Sequence, residues 1–341
     1  MQTNNKTQGN GSAAKAGPKY HRMGNLTKNY MGYVMVAPFI IAFLVFGLYP
    51  IANTIWLSFT NTTLMKQSGE FIGLKNFQSL LNDKFFYTAL GNTWKIWLTN
   101  FIPQMAIALM LSAWFTSSHL KLKGIGFFRT VFFLPNLLLP ATVAVLYFSL
   151  FNFYGPANQF LVRAGIFSEA FQFFRNTTFT QSLVAFIQTW MWFGNTLIIL
   201  IAGMTSISTA LYESAMIDGA GGWKMFTNIT LPSLRPVLIY TLVTSLVGGL
   251  QMFDIPYMLT DGKGSPNNSI LTLNVLMYSR FSSSKGHIGL AAAVGMCILI
   301  MTTVCSIFIF YVLRDKDAAK EKREHKKMKK EQMKYRKAVS Q

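Results

Sequence analysis

The sequence predicts an all-α fold: a polytopic membrane bundle of six transmembrane helices with a short cytoplasmic helix between spans four and five. Three observations predict it. Of 341 residues, 51% are hydrophobic and only 13% charged, where a soluble domain carries about 25% charged residues. Six apolar stretches reach the roughly 20 residues that a bilayer crossing needs: about 33–59, 91–116, 131–154, 181–207, 236–258 and 289–313. The cations also gather at the two ends of the chain rather than on its apolar body.

The ends come first. The net charge of +19 would suit a nucleic-acid partner, but 12 of the 31 Lys and Arg lie in residues 314–341 and five lie in the first 30. Basic arms on an apolar body exclude that class. Residues 1–30 are expected to be a disordered basic N-terminus, and 314–341 a basic tail held in the cytoplasm and touching anionic membrane lipid. The apolar body is then 31–313.

An even number of spans puts both termini on one side. With the termini inside, segments 1–32, 117–130, 208–235 and 314–341 hold 22 of the 31 Lys and Arg. The inner loop 117–130 carries Lys121, Lys123 and Arg129 with no acid, whereas the outer loops mix signs through Glu70, Asp83, Glu169 and Asp261. By the excess of cations on the inner face, both termini and 208–235 are cytoplasmic.

Within the spans, polar groups mark either helix ties or a path. Gln104 and Asn136 are read as ties. Gln188, Trp190, Trp192 and Asn195 in the fourth span, with Gln251 and Asp254 in the fifth, are the candidates for a substrate path. Amides beside aromatic faces suit a sugar, which offers hydroxyls at its edge and C–H bonds on its faces. Trp190 is equally readable as an interfacial belt residue, and Asp254 as a wetted one. Cations are nearly missing from the spans, Lys95 near a boundary being the main exception, and an anionic solute would be expected to meet Arg or Lys. Prolines 38, 50, 103, 135, 140 and 256 allow bends.

No enzyme signature is present. The phosphate loop G-x-x-x-x-G-K-[ST] is missing, as are G-x-S-x-G and H-E-x-x-H, and the four histidines form no cluster. No catalytic residue and no metal site is expected. Cys297 and Cys305 lie about 12 Å apart on a helix, too far for a disulfide.

The segment 208–235 is the most specific feature. It includes "YESAMIDGAGGWKMFTNITLPSLRP". "TALYESAMIDGA" favours a helix that Gly219, Gly221 and Gly222 end. "WKMFTNI" allows a second turn or two, stopped by Pro232 and Pro236. The expected product is a helix–turn–helix on the membrane face. Its residues Glu213, Ser214, Ala215, then Gly219, then Ile229, Leu231 and Pro232 match in spacing the loop signature of ABC importer permeases, with Asp218 and Ala220 completing an Asp-Gly-Ala. Ser214 stands where the signature has alanine. "FIGLKNFQSLL", "GFFRTVFFLPNLLLP" and "GGLQMFDIPYMLTDGKG" add to the likeness over about 33–313.

The chain thus resembles the binding-protein-dependent permease family, in its maltose-type carbohydrate branch. The resemblance implies a sugar importer, with an oligosaccharide as cargo. It implies a second homologous permease subunit, two cytoplasmic ATPase subunits and an extracytoplasmic solute-binding protein, in a bacterial plasma membrane. No cofactor is bound by this chain, and ATP is used by the ATPase subunits. The helix near 210–219 would seat in a groove on an ATPase, with Glu213 pairing to a basic group, Ser214, Ala215 and Ala220 allowing close approach, and Trp223, Phe226 and Pro232 anchoring the loop to the bundle. The alternatives are a permease for another small solute such as glycerol phosphate, or an ion-coupled secondary carrier, which would need a mid-membrane ionisable relay.

Overall fold

The computed structural model describes residues 30–313 except 118, 119 and 121, together with residue 328. The expectations for the basic N-terminus, for the basic tail and for Lys121 lie outside the described residues. Two units divide at Asn53/Thr54.

The first unit carries α1 (Tyr30–Phe43), a π-turn over Leu44–Leu48 and the start of α2 (Tyr49–Ser58). The widened turn has a cause in Pro50. Proline has no N–H and its ring crowds the carbonyl four residues back, and the turn ends with the Tyr49 N–H on the Leu44 carbonyl, a five-residue reach.

The second unit continues with α3 (Lys75–Leu81), α4 (Lys84–Thr116), α5 (Ile125–Phe133), α6 (Pro140–Phe151), α7 (Pro156–Arg163) and α8 (Thr177–Thr205). After these come α9 (Thr209–Ile217), α10 (Gly222–Met225), α11 (Leu231–Ser233), α12 (Arg235–Leu250), α13 (Asp254–Thr260), α14 (Leu273–Phe281) and α15 (Ile288–Leu313). Among the described residues, five helical segments are long and apolar enough to cross a membrane, or six if one bent pair counts as a span.

That bent pair takes the place of the third span expected over about 131–154, where Pro135 and Pro140 allow a bend. α5 passes into a 3-10 turn at Leu134–Leu137, and the chain bends by 90° before α6. Pro140 opens α6, and Leu139 before it is extended at φ −69°, ψ 126°. A residue preceding proline is pushed out of the helical region, so the apolar run cannot stay one rod. The second span also starts earlier than expected. Asp83 caps α4 by accepting from the Phe85 N–H at 2.9 Å, which begins the helix at Lys84. The fifth span breaks between Leu250 and Asp254.

The core is built on α4 against α8. The buried face of α4 runs Phe86, Ala89, Thr93, Ile96, Trp97, Asn100, Gln104, Ala108 and Ser112, a three-and-four spacing that keeps one stripe inward. Small and polar members let membrane helices approach closely and hydrogen-bond. α12 packs across both α4 and α8, α6 packs on α13, and α14 on α15. Near the start of α4, Asn92 donates to the Asn268 and Leu271 carbonyls, and the Thr93 hydroxyl accepts from Leu273 N–H at 3.0 Å. Asp83 pairs with Arg280 at the end of α14.

Candidate functional site: a neutral cavity and a projecting helix

The middles of α4, α8 and α12 enclose a cavity of about 160 Å³. From α4 it is lined by Trp97, Asn100 and Gln104, spaced so that all three share a face. From α8 come Gln188, Trp192, Asn195, Thr196 and Ile199, again on three-and-four spacing. α12 supplies Thr241, Thr244, Ser245, Gly248 and Gly249. None of these thirteen residues is charged.

Hydrogen bonds fix the walls. Gln104 Nε2 donates to Thr196 Oγ1 at 2.8 Å, and Thr189 Oγ1 donates to the Asn100 carbonyl at 3.1 Å, both joining α4 to α8. Trp97 Nε1 donates to the Ser245 carbonyl at 3.0 Å and lies 3.2 Å from its hydroxyl, joining α4 to α12. The indole is stacked on Phe101, with centroids 5.4 Å apart, and fills the space a side chain at 249 would take. A Cβ on Gly249 would lie 2.6 Å from Trp97 Cγ and 2.8 Å from its Nε1, so only glycine lets this ring seat.

The six path candidates separate. Gln188, Trp192 and Asn195 come together on the cavity wall. Trp190 points into the core instead, edge-on to Tyr147 at 6.2 Å within the cluster of Ile187, Met191 and Ile255. Gln251 borders a different opening, between α12, α14 and α15, where its carbonyl accepts from Asn274 Nδ2 at 2.6 Å. Asp254 begins α13 and lines neither opening. Gln104 is both a tie and a wall residue. Trp97, Asn100 and the α12 face escaped sequence reading, although Thr241, Thr244, Ser245 and Gly248 follow the helical spacing that could have revealed them.

The second feature is the segment between α8 and α12. α9 ends in a Schellman arrangement: Gly219 N–H meets the Met216 carbonyl at 3.0 Å and Ala220 N–H the Ala215 carbonyl at 2.9 Å. Gly219 takes φ +74°, which other residues rarely adopt. Glu213, Ser214, Asp218 and Gly219 are exposed, and Ala215 and Ala220 half-buried. Ile217 is 87% exposed and Trp223 78%. Trp223 therefore does not anchor the loop as expected; it stacks loosely on Phe226 at 5.9 Å. Pro232 is exposed as well. The inward contacts come from Thr230 and Leu234, at 6% and 0% exposure.

Nor does Pro232 stop the helix. A π-turn over Phe226–Thr230 precedes it, with Leu231 N–H reaching the Phe226 carbonyl. Ile229 lies in this turn and Leu231 opens α11, both half-buried. The turn is widened two residues before a proline, as it is before Pro50.

The model of the binding-protein-dependent transport system inner membrane component matches residues 93–317. The chain belongs to this family. It is 35% identical over 289 residues to the lactose transport system permease protein LacF of Rhizobium radiobacter, covering 84% of this chain and 94% of that one. It is 32% identical to the arabinooligosaccharides transport system permease protein AraP of Bacillus subtilis, over 82% of this chain and 88% of that one. A crystal structure of a bacterial ABC transporter involved in the import of the acidic polysaccharide alginate superposes with a TM-score of 0.71 at 24% identity, over 84% of this chain and 96% of that chain. That likeness establishes the permease fold. Family membership makes the chain a multi-pass membrane component of a transport system.

Proposed function

We propose that this permease carries a neutral sugar, of oligosaccharide size, through a path to which the cavity of α4, α8 and α12 is its contribution, and that separate ATPase subunits drive it through α9. The observation that carries the reading is the wall itself: Asn100, Gln104, Gln188, Asn195 and Thr244 offer neutral hydrogen-bonding groups beside the faces of Trp97 and Trp192, with no charge among them. A uronate, a phosphate ester such as glycerol phosphate, or any anionic solute would be expected to meet Arg or Lys. An ion-coupled carrier would need an ionisable group in the same place. The names of the related proteins, for lactose and for arabinooligosaccharides, support a sugar cargo.

At about 160 Å³ the cavity is smaller than the roughly 300–1,000 Å³ of a typical ligand site. It suits part of an oligosaccharide, the remainder resting against a second homologous permease subunit. An extracytoplasmic solute-binding protein would deliver the sugar to the outer loops. The cation distribution supports both termini and α9 in the cytoplasm of a bacterial cell. There the exposed Met216 and Ile217, three and four residues on from Glu213, form with it a mixed apolar and acidic face fit for a groove on an ATPase subunit. No nucleotide, cofactor or metal is assigned to this chain.

The test is purification from detergent followed by reconstitution. An ATPase should co-purify, and neutral di- and trisaccharides presented with the binding protein should stimulate ATP hydrolysis where oligouronates do not. Uptake by the purified chain alone, or stimulation by oligouronates only, would overturn the proposal.

A further inference from the structure

α9 stands apart from the bundle. None of its residues is buried, and it packs extensively on no other described element. Its connections are short: Ser206–Ser208 from α8, and Asp218–Gly221 to α10, the latter passing through the left-handed Gly219. Glycine linkers bend readily. A push on α9 would be spent in bending them unless a side chain bridges across.

One does. Tyr212 Oη and Thr230 Oγ1 are 2.9 Å apart, the only side-chain hydrogen bond from α9 to another element among the described residues. Thr230 is 6% exposed and closes the π-turn. Its carbonyl accepts from Leu234 N–H at 2.9 Å, and the Leu234 carbonyl from Leu238 N–H at 2.9 Å. From there α12 runs to Ser245 and Gly249 in the cavity wall, about 22 and about 28 Å from Thr230 at the helical rise.

We propose that the Tyr212–Thr230 hydroxyl pair is the strut through which motion of α9 reaches α12 and the cavity. Both are positioning residues. The inference rests on the reading of α9 as the element that ATPase subunits move.

The experiment uses the assembled transporter with Cys297 and Cys305 replaced by alanine and a fluorescent label on Thr244→Cys in the cavity wall. The change in label accessibility on adding ATP and vanadate is measured beside the rate of ATP hydrolysis. Tyr212→Phe and Thr230→Val should keep the ATPase bound and hydrolysing, while the label response falls at least threefold. Thr230→Ser should restore it, and the double variant should be no worse than either single one. A merely structural role would lower hydrolysis and label response together. An unchanged label response in Tyr212→Phe overturns the strut, and so does loss of the ATPase from that variant, which would make Tyr212 a docking contact. Glu213→Arg separates the two ideas. If Glu213→Arg uncouples while Tyr212→Phe and Thr230→Val do not, the strut alone fails; if Glu213→Arg leaves assembly and response intact, the docking reading fails.

Discussion

Substitution of Gly249 by alanine tests whether Trp97 is wedged between α4 and α12 as described. The added Cβ would lie 2.6 Å from Trp97 Cγ, where carbon atoms ordinarily rest at about 3.5–4.0 Å. It would lie nearer still to Trp97 Cδ1, so the ring must retreat by roughly 1.5–2 Å, and it has little room. Phe101 is stacked on it, Trp94 meets it edge-on at 5.5 Å, and Leu246 and Leu250 of the same cluster are fully buried. Overpacking of this kind costs about 1–3 kcal/mol, and loss of the Nε1 bond to Ser245 adds about 1 kcal/mol. Unfolding of the purified protein in a detergent titration should show a loss of about 2–4 kcal/mol from these two effects. Trp97→Phe, with a smaller ring and no N–H, should relieve the clash, so the double variant should be more stable than the two losses added together, by at least ~1 kcal/mol. A Gly249→Ala change within about 0.5 kcal/mol of wild type, or simple additivity with Trp97→Phe, would refute the wedge.

Other consequences are smaller. Gly219→Ala puts a side chain at φ +74° and should weaken the end of α9 by about 1 kcal/mol, seen as roughly fivefold faster hydrogen exchange at Ala220; Gly219→Asn should lose less. Gln104→Leu and Thr196→Val should couple by about 0.6 kcal/mol in a double-mutant cycle, the average for hydrogen bonds between membrane helices. Outside the membrane, the Lys66 ammonium 2.8 Å away holds the Glu70 carboxyl below its usual range through their hydrogen bond and charge attraction. With a depressed folded value, the contact's contribution is present above the ordinary carboxylate pKa and is lost as pH falls through the lowered one. Carboxylate NMR of Lys66→Met should show Glu70 titrating at higher pH than in the wild type.

The legibility of this chain divides by the range of the interactions involved. The end of α9 could be read directly, because a glycine cluster after a run of helix formers is a local signal, and Gly219 takes the left-handed turn it implies. Pro135 and Pro140 marked a bend in the third span, but its size of 90° was not legible, because it is set through the backbone of Leu139. Gln188, Trp192 and Asn195 stood out as large polar or aromatic groups in an apolar run. Thr241, Thr244 and Ser245 did not, because hydroxyl side chains are ordinary in membrane helices and commonly bond their own backbone, as Thr241 and Thr244 do here. The fit of Trp97 to Gly249 joins positions on α4 and α12 that no local periodicity links. Trp190 shows the reverse error: an aromatic beside candidate polar groups faced the other side of the same helix.

The central claim is that the loop bearing α9 faces the compartment where ATP is spent. Ile217, 87% exposed, is the position to probe. In protein with Cys297 and Cys305 replaced by alanine, expressed without the ATPase subunits that would cover it, Ile217→Cys should react with a membrane-impermeant maleimide in inside-out vesicles and stay unlabelled in spheroplasts. Labelling in spheroplasts, with protection in the inverted vesicles, would contradict it.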